Sequence, residues 1–416
     1  MMEKVILAGL RLEDEFEYKM AELEALTKAA GAEVLRSVEQ QGRTIDPGTF
    51  LGKGKVQEIK ELAKNMEADS VIFLQELSGS QIRNLEKIIE TKVLDRTMLI
   101  LDIFAGRATS REGKLQVHLA QLNYRLPRLI GFGNALSREG GGIGTRGPGE
   151  QKMETDRRHI MREIDHVKAK LKEVERQRDL LRERRRKNVL PLISLFGYTN
   201  SGKSTLMNGI LRLNGNEKEV FAKDMLFATL ETRLRRCEFP KGGPFLLTDT
   251  VGLVSDLPTE FVEAFSSTLE EAKDADLILH VVDCAGANIL LQIETTFDLM
   301  KKLGLNKTPI LTVFNKKDLI EEEDFMWMRQ EGEHILISAK DEEDIRRLLD
   351  KVQKMLGNYK LSRFLFPYTC SGEVSALMEM YAMDLVEHRE DGIVLSFVAD
   401  ERVREKYKMY LEEVHA

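Results

Sequence analysis

Eight consecutive residues near the middle of the chain have the order of residue types that cradles a phosphate. They are Gly197, Tyr198, Thr199, Asn200, Ser201, Gly202, Lys203 and Ser204, and Thr205 follows them. The run matches the full P-loop pattern, comes directly after the apolar run LPLISLF and precedes a predicted helix that begins at Lys203. Glycines let backbone N–H groups surround phosphate oxygens near the positive end of a helix dipole. We expect Lys203 to contact the β- and γ-phosphates and the Ser204 hydroxyl to ligate Mg²⁺.

A second group of residues follows the apolar run FLL. It consists of Asp249, Thr250, Val251 and Gly252. We expect the Asp249 carboxylate to hold Mg²⁺ through water and the Gly252 N–H to face the γ-phosphate. Many GTPases place a water-orienting glutamine just after this motif, but Leu253 stands there and cannot hydrogen-bond water.

Two further groups indicate which base the nucleotide carries. Asn315, Lys316, Lys317 and Asp318 follow the strand PILTVF, and Ser338, Ala339 and Lys340 follow HILI. An aspartate here can accept from guanine N1–H and N2–H₂, a donor pair that adenine lacks. Asn315 and Lys316 would brace the P-loop and cover the base, and the Ser338–Lys340 run would offer a backbone N–H to guanine O6. Because ligands bind at strand carboxyl ends of open α/β sheets, the motifs together predict a domain that binds GTP or GDP and hydrolyses GTP.

The cation ligands are less completely specified by spacing. A loop threonine should complete the Mg²⁺ shell, and the run 226–236 offers both Thr229 and Thr232, which on spacing alone could equally be ordinary loop residues. Asn200 occupies the position where K⁺-activated GTPases resemble one another, so K⁺ is a second candidate cofactor. An asparagine that merely braces a tight turn is the equally weighted alternative.

Apolar patterns predict the elements that position these residues. Five buried-strand candidates separated by helices run from Val189 to about 357, which indicates a mainly parallel sheet with helices on both faces. Residues 1–109 alternate short strands with helical patterns and predict a small parallel α/β domain, with Ser78 capping one helix. Residues 358–416 predict a strand, a helix (371–384), two strands around a turn at 390–392 and a last helix, a small α+β domain.

Between the two α/β regions, residues 110–188 predict a helical hairpin. Leucines from Leu115 to Leu129, and apolar residues from Ile160 to Leu181, recur at spacings of three and four. The run 139–150 separates them with six glycines and a proline and would form the tip loop. Pro127 predicts a kinked or shortened first helix. The second helix, 151–188, carries fourteen basic and eight acidic residues, a net charge of +6 in a chain of −7. A solvated face and a nucleic-acid-binding face are both compatible with that segregation.

Composition limits the class of protein. Hydrophobic residues make up 42% and charged residues 31% of 416, as in folded proteins of several domains. The three scattered cysteines form no CxxC or Cys/His cluster, which indicates neither a disulfide framework nor a zinc site. No secretory signal and no apolar run of about 20 residues is present, so a cytoplasmic protein without a membrane span is expected.

Five stretches of the chain resemble the HflX family of ribosome-associated bacterial GTPases. They are GRTIDPGTFLGKGKVQEI (42–59), LDRTMLILDIFAGRATSREGKLQVHLAQL (94–122), GGIGTRGPGEQKMETDRR (141–158), GYTNSGKSTLMN (197–208) and LFATLET (226–232). The resemblance selects Thr229 as switch threonine and Mg²⁺ ligand. It places further nucleotide contacts at Phe227, Ala228, Leu230 and Glu231. The chain departs from the family's common LDPTTR continuation, with LETRLRR in its place. The expected catalytic residues are then Lys203, Thr229 and Gly252.

The resemblance also implies a partner, the large (50S) ribosomal subunit with its rRNA, bound by the N-terminal domain and the hairpin. It implies action in translation, ribosome rescue or splitting, or ribosome biogenesis, by a protein expected to be a monomer. Two other classes of function remain open from the residues alone. A metabolic kinase or ATPase would use ATP and leaves Asp318 without a role, and a protein-binding signalling switch would not need a basic helix that contacts RNA.

Overall fold

The computed structural model describes residues 2–42, 44–130, 148–187, 190–215, 233–250, 252–254, 270–286, 288–305, 307–320, 332–357 and 359–412. Within these ranges the chain forms two compact units, the first mainly residues up to Arg178 and the second mainly residues from Asp179 onward. The division into four domains at 109, 188 and 357 stays a prediction.

The first unit begins with a small α/β domain. Its elements are β1 (Glu3–Arg11), α1 (Phe16–Ala29), β2 (Ala32–Gln41), α2 (Lys53–Asn65), β3 (Ser70–Phe73), α3 (Gly79–Ile89), β4 (Lys92–Asp95) and α4 (Arg96–Arg107). The four strands are parallel and lie in the order β2-β1-β3-β4, which confirms the predicted parallel α/β architecture. Ser78 caps α3 as predicted, because its side chain accepts from the Gln81 N–H while the Gln81 side chain accepts from the Ser78 N–H.

The pattern of apolar and polar residues does not predict helix α4. This helix is buried around most of its circumference and has no clear polar face. Asp95 caps it by accepting from Met98 N at 2.9 Å, and the same carboxylate accepts from Leu77 N and from the hydroxyl of Tyr124. Arg128 lies 3.2 Å above the Tyr124 ring centroid and pairs with Glu76 at 2.8 Å. Tyr124 and Arg128 belong to α5 (Arg111–Ile130), so a largely buried polar network fixes this helix to the sheet domain.

Helix α5 packs against α6 (Pro148–Lys187) through the predicted leucine stripe. The contact is made by Leu119 and Leu122 with apolar residues of α6, chiefly Ile164, Val167 and Leu171. Pro127 lies inside α5, which continues to Ile130 and is not shortened by it. The predicted tip loop 139–150 overlaps α6 by three residues, since Pro148 begins the helix, where a proline lacks only an N–H that has no helical partner. The rest of that loop lies outside the described residues.

The second unit contains the larger sheet. Its elements are β5 (Leu192–Gly197), α7 (Lys203–Leu213), β6 (Arg233–Glu238), β7 (Pro244–Asp249), β8 (Leu277–Asp283), α8 (Ile289–Lys302), β9 (Ile310–Asn315), β10 (His334–Leu336) and α9 (Glu342–Met355). The strand order is β10-β9-β8-β5-β7-β6, and every described pair is parallel except β6 with β7. On one face Val281 and Val313 pack with α7 and α9, and on the other Val282 and Phe314 pack with α8. Helices therefore cover both faces, as predicted.

Strand β6 is an element that the sequence pattern does not predict. Its sequence, RLRRCE, has three arginines, and it pairs antiparallel with β7 at the edge of the sheet. An edge strand is half solvated and often carries charged side chains, so it lacks the apolar run that marks the interior strands.

The chain ends in a third, antiparallel sheet with short helices. Its elements are β11 (Lys360–Phe366), α10 (Ser371–Met380), β12 (Leu385–Arg389), β13 (Gly392–Ala399), α11 (Glu401–Lys406) and β14 (Leu411–Glu412). The strand order is β12-β13-β11-β14, around a core that includes Phe364, Phe366 and Phe397. The α+β prediction is thus confirmed, with α10 shorter than expected and β14 additional.

Candidate functional site

The P-loop connects β5 to α7 as the sequence predicts, and two of its residues must be glycine. Gly197 has φ +149°, and a Cβ there would lie 2.2 Å from the Val281 carbonyl oxygen. Gly202 has φ +93°, and a Cβ there would lie 2.1 Å from Asn315 Nδ2. Both glycines therefore let the backbone of the loop lie closer to Val281 and Asn315 than a side chain would permit.

Lys203 begins α7 and is buried inside the loop. Its Nζ donates to the carbonyl oxygens of Gly197 at 2.9 Å and Tyr198 at 2.7 Å. Burial lowers its pKa to about 8, and the negative charge of Asp249 opposes that shift. The hydroxyls of Thr199 and Ser201 are also buried, and neither has a hydrogen-bond partner within the described ranges. A buried cation with hydroxyl donors beside it fits a phosphate group.

The Mg²⁺ candidates lie side by side at the ends of neighbouring elements. Ser204 Oγ donates to Asp249 Oδ2 at 3.1 Å, and Asp249 is fully buried at the end of β7. A hydroxyl and a carboxylate are the hard oxygen donors that Mg²⁺ prefers, and this ion commonly takes one or two protein oxygens, with phosphate oxygens and water completing its octahedron. The part of the chain that the structure describes has no cluster of three or more His, Cys, Asp or Glu that could hold a metal ion.

Gly252 lies against the P-loop, whereas the Thr250 side chain contacts the sheet. A Cβ at Gly252 would lie 2.7 Å from Thr199 Cγ2 and 3.4 Å from Lys203 Nζ. The backbone at Gly252 therefore passes directly beside the side chains that are expected to bind phosphate. The Thr250 hydroxyl instead donates to the Leu195 carbonyl at 2.7 Å and stabilises the sheet. Any contact of Thr250 with a nucleotide would therefore involve its backbone.

The position after the DxxG motif is buried and structural. The Leu253 side chain is 2% exposed. Its carbonyl accepts from Thr199 N at 2.6 Å, and its N–H donates to the Gly197 carbonyl at 3.2 Å. Leu253 therefore holds the P-loop in place, and its side chain is not available to a water molecule.

The residues that are expected to bind guanine lie near the other end of the P-loop. Asn315 connects the two regions, since its Nδ2 donates to the Ser201 carbonyl at 2.8 Å and its Oδ1 accepts from Ala339 N at 2.8 Å. Asp318 Oδ1 accepts from Ser338 Oγ at 2.7 Å and Asp318 Oδ2 lies 3.4 Å from Lys340 Nζ. The Ser338 hydrogen bond is the largest cause that lowers the pKa of Asp318, which keeps this carboxylate ionised and able to accept from a base.

Two acidic residues that the sequence motifs do not include support the residues expected to bind guanine. Asp283 pairs with Lys316 Nζ at 2.7 Å. Asp344 pairs with Lys317 at 2.7 Å and accepts from Ser338 N at 2.8 Å. Asp283 ends β8, so the same strand-end rule that found the other motifs could have found it. Asp344 lies in the first turn of α9, where no local pattern separates it from an ordinary helix-start acid.

Several predicted site residues lie outside the described ranges. They are Phe227, Ala228, Thr229, Leu230, Glu231 and Val251. Asn200 is described, exposed and left-handed at φ +61°. That backbone fits the turn-bracing alternative, while its side chain stays accessible to a cation.

A P-loop, an adjacent serine–aspartate pair and an aspartate-bearing base motif lie together at the carboxyl ends of parallel strands. This combination of fold and site defines a P-loop GTPase. Family models agree along the chain: a GTP-binding GTPase N-terminal model matches residues 17–105, a GTP-binding GTPase middle-region model 107–185, and a 50S ribosome-binding GTPase model 192–316.

Curated relatives identify the family. The GTPase HflX of Caldanaerobacter subterraneus is 43% identical over 410 residues, which cover 98% of this chain and 94% of that protein. The GTPase HflX of Lacrimispora saccharolytica is 44% identical over 398 residues (95% and 93%), and that of Escherichia coli 44% over 303 residues (73% and 70%). The chain belongs to the HflX family of GTPases. It binds GTP and hydrolyses it to GDP and phosphate. Across the described ranges, no helix combines the length and apolar character needed to cross a membrane.

Proposed function

We propose that this GTPase binds the large ribosomal subunit through its N-terminal domain and helical hairpin, and acts there in translation, ribosome rescue or splitting, or ribosome biogenesis. The observation that carries the proposal is the charge segregation of α6. Its buried stripe of Ile164, Val167 and Leu171 faces α5, and the described basic residues on the rest of the helix are largely exposed. Exposed on α6 are Arg157, Arg158, Lys168, Lys172 and Arg176. A chain of net charge −7 can attract RNA only locally, and this helix supplies a positive surface.

The family model that matches the nucleotide-binding part supports the same partner. It describes a 50S ribosome-binding GTPase, and the three relatives named above, which are 43–44% identical to this chain, are each called GTPase HflX. We include two neighbouring segments of the sequence in the proposed RNA-binding surface, the basic run 182–187 and the glycine-rich run 139–147.

In the proposed mechanism the second unit binds the nucleotide. The Lys203 ammonium exchanges its two loop carbonyls for β- and γ-phosphate oxygens. Ser204 and Thr229 would hold Mg²⁺ directly and Asp249 through water, and the ion would neutralise charge that develops on the phosphates. The Gly252 N–H would face the γ-phosphate, and Asp318 would accept from guanine.

Binding of the subunit is tested by co-sedimentation of the full chain over a range of salt concentrations. The variant K168E/K172E/R176E reverses three exposed charges of α6. We expect it to bind at least about tenfold more weakly, with a log–log salt slope reduced by roughly one for each lost phosphate contact. Replacing residues 140–149 by a short Gly/Ser turn should also weaken binding.

The matched control is K301E/K302E, which reverses two exposed lysines of α8 in the second unit. It should bind subunits and GTP like the unchanged protein. Wild-type affinity and salt slope in the α6 variant and in the loop variant, with GTP binding intact, would show that this surface only solubilises the helix.

We also propose K⁺ as a cofactor beside Mg²⁺, held in part by the Asn200 side-chain oxygen. Replacing K⁺ by Na⁺ should lower the hydrolysis rate several-fold, and Asn200→Ala should abolish that sensitivity. If the rate is the same in both salts and in the variant, Asn200 only braces the turn.

A further inference from the structure

The hairpin of β6 and β7 joins the nucleotide site to the C-terminal sheet within the second unit. At one end, Arg233 of β6 pairs with Asp249 of β7, the proposed Mg²⁺ residue. In the sequence, Arg233 follows Thr229 by four residues. Displacement of β6 along β7 would therefore be felt at the position where Mg²⁺ and the γ-phosphate are expected.

In the middle of β6, Arg236 contacts the C-terminal domain. Its Nη1 donates to the Glu379 carbonyl at 2.8 Å and its Nη2 donates to the Met380 carbonyl. These are the last carbonyls of α10, which have no donor within the helix and carry the negative end of its dipole. A forked guanidinium satisfies both at once through two separate nitrogens in a fixed geometry.

The end of α10 is a rigid attachment point. Tyr381 follows these carbonyls, is 4% exposed, and packs its ring 4.7 Å from that of Phe397 in the C-terminal core. Its N–H donates to the Leu377 carbonyl at 2.8 Å. The Arg236 contact thus ties β6 to a packed core.

The turn of the hairpin is held as well. A Cβ on Gly242 would lie 3.0 Å from Val398 Cγ2, and one on Gly243 would lie 2.9 Å from the Tyr359 ring. Nearby, Arg402 pairs with Asp276, which also accepts from Leu192 N at the start of β5. The C-terminal domain therefore holds the hairpin at its turn and at mid-strand, and leaves only the Arg233–Asp249 end facing the nucleotide.

We propose that Arg236 is a positioning residue through which the C-terminal domain sets the preference of the site for GTP over GDP. Both nucleotides contact Lys203 and the guanine residues, but only GTP needs Asp249, Gly252 and the start of β6 aligned around a γ-phosphate. The inference rests on the roles proposed above for Asp249 and Gly252 and is independent of ribosome binding. By linkage, the bound nucleotide must also alter the stability of the α10 end.

The test measures the affinity of the full chain for a hydrolysis-resistant GTP analogue and for GDP, both with Mg²⁺. Arg236→Ala should weaken analogue binding 3- to 10-fold, about 0.7–1.4 kcal/mol, with GDP affinity within twofold of the unchanged protein. Arg236→Lys should recover only part of the loss because the lysine ammonium keeps the charge but lacks the rigid two-nitrogen fork of the guanidinium. The control Lys241→Ala removes an exposed cation of the same hairpin that pairs with Asp350 at 3.1 Å, and should leave the affinity ratio unchanged.

A purely structural role would lower both affinities equally or only the melting temperature, and an unchanged analogue-to-GDP ratio in Arg236→Ala overturns the proposal. Hydrogen exchange of the unchanged protein gives a measurement that needs no variant. The Tyr381 amide should be more protected with the GTP analogue than with GDP, and equal protection also overturns the proposal. If the unchanged protein failed to bind either nucleotide, the proposed nucleotide site would fail instead.

Discussion

At the scale of single residues, we expect base selectivity to depend on Asp318. Ser338 Oγ at 2.7 Å and Lys340 Nζ hold its carboxylate, and the hydrogen bond from Ser338 is the main cause that lowers its pKa. The carboxylate is therefore charged at neutral pH and oriented by its neighbours before a base arrives. Two acceptor oxygens match the two donors on the guanine edge, a donor pair that adenine lacks.

We expect Asp318→Asn to lower GTP affinity at least about 100-fold and to raise affinity for xanthosine triphosphate, whose 2-carbonyl accepts from the new amide. Competition binding with GTP, xanthosine triphosphate and ATP measures this change. The unchanged protein is the reference, and ATP should compete poorly with it. Displacement of GTP by an equal concentration of ATP would contradict the guanine assignment.

At the scale of elements, the central strand β8 carries a buried histidine behind the P-loop. His280 is 1% exposed, pairs in register with Phe196 and Thr312 of the flanking strands, and lies 5.1 Å from the Phe297 ring. Its Nδ1 has no hydrogen-bond partner among the residues the structure describes. Burial lowers its pKa to about 3, and the positive charge of Lys203 acts in the same direction.

This histidine should make the folding stability of the second unit decrease at acidic pH. The unfolded chain binds a proton near pH 6.5 while the folded chain does not, so the free energy of unfolding should fall as pH decreases from about 6.5 toward 3. The expected slope is at most about 1.4 kcal/mol per pH unit. Urea unfolding at pH 6.5 and 5.0, followed in the transition that added nucleotide stabilises, measures the effect.

His280→Gln should flatten that pH dependence. His388→Gln, at an exposed position of β12, should leave the dependence intact and serves as the matched control. An identical pH dependence in His280→Gln and the unchanged protein would show that His280 is not the responsible group.

At the scale of the whole molecule, the nucleotide site carries leucine at the position where many GTPases place a water-orienting glutamine. Leu253 is buried against the P-loop, so the residue after the DxxG motif cannot orient the attacking water. We propose that docking on the ribosome supplies or completes this function. Basal hydrolysis should then be slow, and large subunits should raise the single-turnover rate at least about tenfold.

The test measures single-turnover rates of the full chain with large subunits, with small subunits and with neither. Small subunits are the control and should not change the rate. Equal rates with and without large subunits would contradict a ribosome-completed site.

The sequence by itself determined the nucleotide-binding motifs, the five parallel strands of the large sheet, and the alternation of strands and helices in the N-terminal domain. These features are local: a strand buried on both faces is a continuous apolar run, and a phosphate loop must be contiguous in sequence. The capping of α3 by Ser78 and the leucine stripe of α5 were predictable for the same reason. The roles of the individual site residues stay predictions.

The tertiary structure alone decided the features that depend on distant partners. Helix α4 has no clear polar face because it is buried around most of its circumference, and β6 has no apolar run because it lies at an edge. The carboxylate of Asp344 supports Ser338 and Lys317, and Arg236 reaches carbonyls 143 and 144 residues away. Such contacts leave no periodic trace, since the residue types that make them are equally common on solvated surfaces, and only the folded chain brings their partners within hydrogen-bond distance.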